Sequence, residues 1–149
     1  MKIVKRINGQ KIDLVLDKTT KGDPAKNWVP ACFYNIVLHG TNQVVGVIDA
    51  RIGSNENLYY GGHIGYTVNE EFRGHGYAVE AVELVKQVFI LNEMHKVYIT
   101  NNLDNKASIR VCEKAGAKFI AVEELPSHND MRVKRGETHK NIWELSFGE

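Results

Sequence analysis

The chain has 149 residues, of which 43% are apolar and 25% charged, enough for one packed domain spanning residues 1–149 and far from a disordered composition. Nineteen Lys and Arg stand against eighteen Asp and Glu, so no global field exists to draw in nucleic acid or an anionic membrane, and any anion site must be local. The two cysteines, Cys32 and Cys112, are too few for a disulfide framework and lack the paired spacing of a zinc site. We read both as reduced thiols and expect no metal. Met1 to Arg6 lacks the apolar run of a secretory signal and no stretch approaches a membrane span, so the cytoplasm is the expected location.

Taken in order, Lys11–Leu16 predicts a first strand, and the polar stretch Asp17–Asn27, with Gly22, Asp23 and Pro24, a loop. Ala31–Leu38 predicts a second strand. Gly40-Thr41-Asn42 suits a hairpin into a third, the apolar run Val44–Ile48. After the turn Gly53–Asn57 a fourth strand is expected from Leu58 to Val68, with Gly61 and Gly62 as bulge points. From Ala78 the period changes. Ala78, Ala81, Val82, Val85, Val88 and Phe89 form the stripe of an amphipathic helix. Lys96–Thr100 then predicts a strand and Asn105–Ala115 a helix ended by Gly116. Lys118–Glu123 and Thr138–Phe147 complete a mixed sheet, separated by a polar loop around Pro126–Asp130. The fold class is α/β in the broad sense, an α+β chain whose antiparallel part comes first.

The sharpest signal is strand, then Arg73-Gly74-His75-Gly76-Tyr77-Ala78, then helix. That order sets free backbone N–H groups at a positive helix end, where a phosphate binds. Gly74 and Gly76 let the backbone curl and a ligand approach, and Arg73 adds charged donors. A tight connection with no ligand is the bland alternative. The dinucleotide pattern G-x-G-x-x-G fails at Val79, and no Gly-Lys-Ser/Thr follows for a Walker loop.

These residues resemble the GNAT superfamily of acyl-CoA-dependent N-acyltransferases. Its diphosphate pattern, Arg/Gln-x-x-Gly-x-Gly/Ala, is met by Arg73, Gly76 and Ala78. Asn105-Lys106-Ala107-Ser108 and Glu113–Phe119 look like the family's Asn-x-x-Ser/Ala helix and the turn after it. The resemblance runs from about Cys32 to Ile120 and looks closest to the ribosomal-protein N-terminal acetyltransferase branch. It implies a mostly antiparallel, twisted sheet flanked by helices, with the fourth and fifth strands splayed to admit acetyl-CoA. It also implies a cofactor site of Val68, whose backbone pairs with the pantetheine arm, the turn Arg73, Gly74, His75, Gly76, Tyr77 and Ala78, and Asn105 with Ser108 on the arm's other side. The acceptor amine, a protein N-terminus or a small molecule, is then expected near Trp28, Tyr59, Tyr60 and Asp130.

Direct transfer needs a neutral amine, and stripping a proton from a group of pKa about 10.4 costs about 4–5 kcal/mol at neutral pH. Asp49, His63, Glu70 and Glu71 are the candidate bases; His63 and the strand tyrosines have ordinary structural readings too. Protonating a departing thiolate of pKa about 8.5 gains only about 1–2 kcal/mol. Cys112 stands where the family commonly has tyrosine, either as a proton donor or as a small apolar filler, a covalent route lacking an adjacent base. Arg132, Lys134 and Arg135 read as a solvated loop face. The expected function is an acetyl-CoA-dependent N-acetyltransferase. The rivals are a non-catalytic acyl-CoA sensor and a phosphate-binding α/β protein unrelated to CoA. A strand edge near the C-terminus allows a homodimer.

Overall fold

The computed structural model describes residues 1–148. Five strands, β1 (Arg6–Asn8), β2 (Ile12–Thr20), β3 (Ala31–Leu38), β4 (Val44–Arg51) and β5 (Ile64–Val68), pair antiparallel in chain order. The predicted loop after Leu16 begins later than expected, because β2 continues along β3 to Thr20 opposite Ala31 after a bulge. Three more strands, β6 (Lys96–Asn101), β7 (Lys118–Glu124) and β8 (His139–Ser146), form a second antiparallel sheet in the order β6-β8-β7. The expected single mixed sheet is thus two antiparallel sheets, divided between β5 and β6.

Helix α2 (Tyr77–Leu91) bridges that division and buries Ala81, Val82, Leu84, Val85, Val88 and Phe89. Against it lie Tyr34, Ile36, Ile48 and Ala50 from the first sheet and Val97, Ile99 and Leu145 from the second. Each fully buried aliphatic or aromatic side chain stabilises the fold by about 1.5–3 kcal/mol, so α2 fixes the relation of the two sheets. Its first turn is pinned by Glu80, whose carboxylate accepts from the N–H groups of Gln10 (2.7 Å) and Lys11 (3.1 Å) in the β1–β2 turn.

Leu58–Gly61 is helical rather than extended. Helix α1 (Glu56–Gly61) starts at Asn55, whose side chain accepts from Leu58 N–H, and stops at Gly62, with φ +83°. The Gly61-Gly62 pair is therefore a helix end rather than a strand bulge. Arg51 Nη1 donates to both glycine carbonyls, at 3.3 and 3.0 Å. The helix expected over Asn105–Ala115 is α3 (Lys106–Lys114), with Asn105 as its cap, and a short helix α4 (Asp130–Arg135), capped by Asn129, occupies the end of the expected polar loop. Arg132 there is not a free cation: it bonds Glu124 and the Leu125 carbonyl. Among the described residues no helix is long and apolar enough to cross a membrane, and no acidic, His or Cys cluster has the makings of a metal site.

Candidate functional site

A cleft of about 1650 Å³ runs through the division between the sheets. At one end β5 and β6 still touch: His63 N–H donates to the Tyr98 carbonyl at 2.8 Å. Beyond it the strands part. The His63 carbonyl and Asn69 N–H both bond β4, so residues of that parity, Gly65 and Thr67, face β4 as well. Ile64, Tyr66 and Val68 consequently direct their N–H and C=O groups into the gap. The Val68 carbonyl is taken by Arg73 Nε, at 2.9 Å.

The other end of the cleft is the glycine turn. A short 3₁₀ turn, Glu70–Phe72, closes after β5 and leads to Gly74 (φ +87°) and Gly76 (φ +79°), both in left-handed conformations that favour glycine. Among the described residues no protein acceptor meets the N–H groups of Gly74, His75, Gly76, Tyr77, Ala78 or Val79; the first amide of the helix to bond back is Glu80, to Gly76. These open donors coincide with the positive end of α2. Nothing lies within 4 Å of a Cβ built on Gly74, and only Lys11 Nζ, at 3.9 Å, near one on Gly76. Arg73, Arg110 and Lys114 line this end. Lys11 joins them through its bond to the His75 carbonyl (3.2 Å), while the His75 ring stacks on Tyr77.

Strand alternation gives the cleft two faces. Tyr66 lies opposite Ile48 and shares the helix-packed face, whereas Gly65 lies opposite Asp49 on the outer face. A Cβ on Gly65 would sit 2.7 Å from Asp49 Oδ1 and 3.0 Å from Arg51 Nη2, so only glycine leaves room for this ion pair, whose Nε–Oδ2 distance is 3.0 Å. Burial raises the Asp49 pKa above its ordinary value, and Arg51 pulls it partway back. Around this face stand Phe33, Trp28, His128 and Asp130. Trp28 is 54% exposed, with Lys26 Nζ 4.6 Å above its ring.

The model of the acetyltransferase (GNAT) domain family matches residues 11–118. The chain belongs to the GNAT family. No curated protein sequence matches it. Among solved structures, a probable GNAT-family acetyltransferase from Chromobacterium violaceum superposes with a TM-score of 0.69 at 14% identity, covering 95% of this chain and 86% of that one. A GNAT acetyltransferase from Bacillus anthracis gives 0.58 at 22% identity, covering 76% and 65%. A ribosomal L7/L12 alpha-N-protein acetyltransferase solved with coenzyme A gives 0.60 at 19% identity, covering 78% and 62%. The chain thus spans less than two thirds of the length of the latter two.

Within this GNAT domain the expected cofactor residues Val68, Arg73, Gly74, Gly76, Tyr77, Ala78, Asn105 and Ser108 line the cleft, whereas His75 does not. The catalytic candidates divide. Cys112 is fully buried in the core and does not line the cleft; burial pushes its thiol up to about 12. His63 is 2% exposed with both ring nitrogens engaged, Nδ1 accepting from Tyr98 N–H (2.9 Å) and Nε2 donating to the Gly53 carbonyl (3.0 Å). Burial lowers its pKa, so the ring is a neutral cross-link between strands. Asp49 does not itself line the cleft; it stands behind Arg51 and Gly65, which do, and is joined to Arg51 by the ion pair. Of the acceptor candidates, Trp28 and Asp130 line the cleft and Tyr59 and Tyr60 do not. The α1 helix turns Tyr59 onto Tyr98 and into a 2.6 Å bond with Glu123. Sequence reasoning did not reach Arg51, Tyr66, Asn101, Arg110 or Lys114, whose neighbours at the site come from distant parts of the chain.

Proposed function

We propose that this GNAT domain transfers an acetyl group from acetyl-CoA to a primary amine by direct attack when both substrates are bound. The observation that carries the reading is one cleft with unspent amides at a helix N-terminus on one side of a strand gap and, behind Arg51 and Gly65 on the other, a half-buried carboxylate, Asp49. The residues fit acetyl-CoA: the 74–79 amides and Arg73 would hold its diphosphate. The open edge of β5, at Ile64 and Tyr66, would pair with its amide-bearing arm, Val68 contributing its N–H alone because Arg73 occupies its carbonyl. Asn105 and Ser108 would flank the arm. Acetyl-CoA supplies the thioester carbonyl that the amine attacks, and the edge N–H groups of β5 receive the negative charge that develops on its oxygen.

Asp49 takes the amine's proton. A carboxylate raised by burial is a stronger base than an exposed one, and its position on the outer face separates acceptor from donor across the strand. Arg51 opposes that rise through its ion pair with the carboxylate. Trp28 and Asp130 form the acceptor's entrance. A protein N-terminus is the acceptor class we favour, since ribosomal-protein acetyltransferases stand among the structural neighbours. Two buried free cysteines suit a reducing cytoplasm.

Incubation with acetyl-CoA and a panel of amines and short peptides should release free thiol with at least one acceptor. Tight acetyl-CoA binding without thiol release from any of them would leave a sensor in place of an enzyme.

A further inference from the structure

We propose that Tyr66 is the hydrogen-bond donor that receives the sulfur leaving from acetyl-CoA, with Ser108 and Asn101 as the residues that position its hydroxyl. The proposal rests on the acetyl-CoA reading above and names a residue for a step that reading leaves without one.

Tyr66 projects from β5 on the face opposite Asp49, and its hydroxyl bonds Ser108 Oγ in the first turn of α3 at 3.0 Å. The bond crosses the gap between the parted strands, and both residues line the cleft. Behind them stands Asn101 at the end of β6. Its Oδ1 accepts from Asn141 Nδ2 (3.0 Å) and from Trp143 Nε1 (3.3 Å). An indole N–H can only donate, so these bonds fix which way the amide points, and its NH₂ faces Ser108 Oγ at 3.2 Å. Ser108 is therefore held by a buried, oriented partner, and it in turn holds Tyr66. The only sulfur in the array, Cys112, sits behind Asn101, fully buried, and contributes nothing at the cleft surface.

In the reaction the amine nitrogen bonds the carbonyl carbon, its proton passes to Asp49, the C–S bond breaks and the electron pair leaves on sulfur. Burial pushes the Tyr66 hydroxyl up to about 12, against about 8.5 for a thiol, so complete proton transfer to the thiolate is unfavourable by a factor of a few thousand. Tyr66 consequently stabilises the thiolate by a charge-assisted hydrogen bond while keeping its proton. The sulfur is protonated by water on release.

The test is the ionisation of the thiol of bound CoA, followed by thiolate absorbance as pH rises. In the wild-type complex the thiol should ionise below its free value. Tyr66→Phe should raise its pKa in the complex by about one unit and lower kcat about tenfold or more, with the Kd for acetyl-CoA changed less than about threefold. Ser108→Ala should move the thiol in the same direction by less, since Tyr66 remains but loses its partner. An unchanged thiol ionisation in Tyr66→Phe overturns the proposal. Failure of the wild-type chain to bind CoA, seen before any variant is compared, instead removes the acetyl-CoA reading and this proposal with it.

Discussion

At Asp49 burial and charge pairing oppose each other, and burial dominates. The carboxylate therefore loses its last protons above the usual carboxylate range. As the proposed base it must be ionised, so kcat/KM should rise with pH through that raised pKa. Asp49→Asn should lower kcat/KM about 100-fold or more and erase this acidic limb, as measured in a pH–rate profile. His63 carries the opposite kind of shift. Its folded pKa lies below the ordinary histidine value of about 6.5, so below that pH the unfolded chain takes a proton that the fold refuses, and stability falls as pH falls. His63→Asn should cost about 1–3 kcal/mol near pH 7, where two buried bonds are lost. It should also flatten the decline toward about pH 5; thermal unfolding across that range checks both.

Among the elements, the turn and the two helices after it were legible in the sequence because their signals are local. Two glycines, an arginine and a stripe at helical spacing need no knowledge of distant residues. Helix α1 was misread: Tyr59, Tyr60 and the glycine pair look like strand and bulge. Yet Asn55 before Glu56, and glycine at the close, is also a helix start and stop, and tertiary packing of Leu58 decided between them. The division into two sheets was implied only by the family resemblance, since it depends on α2 holding β5 and β6 apart. The Tyr66–Ser108 bond joins residues 42 apart, and no local pattern marks it. Glu80 is a similar case. Its carboxylate is directed to the β1–β2 turn, which leaves the neighbouring amides of α2 open. Glu80→Ala should lower unfolding free energy by about 1–3 kcal/mol in denaturant titration, with the loosened turn shifting α2's first residues.

At the scale of the whole molecule, strand alternation gives the cleft two faces, which in the proposed reaction would take acetyl-CoA and the amine from opposite sides of one strand. The same architecture leaves β7 as an outer edge, with Phe119 and Val122 47% and 49% exposed. Lys118 stands at one end of β7 and Glu123 and Glu124 at the other, so antiparallel pairing with a second copy sets opposite charges together. We propose that two copies of the chain pair along this edge. Light scattering should show Val122→Lys converting a dimer to a monomer, and a wild-type monomer would contradict the reading.

The central claim is that the open amides from Gly74 to Val79 hold the diphosphate of acetyl-CoA. Calorimetric titration of acetyl-CoA into the wild-type chain and into Gly76→Val tests it most directly. The account predicts saturable wild-type binding with a Kd in the range of about 1 μM to 1 mM, as is usual for enzyme substrates. It predicts at least about tenfold weaker binding by the variant, whose side chain strains a left-handed backbone and stands where the phosphates approach. Equal affinity of the two chains, or no binding by the wild type, would contradict it.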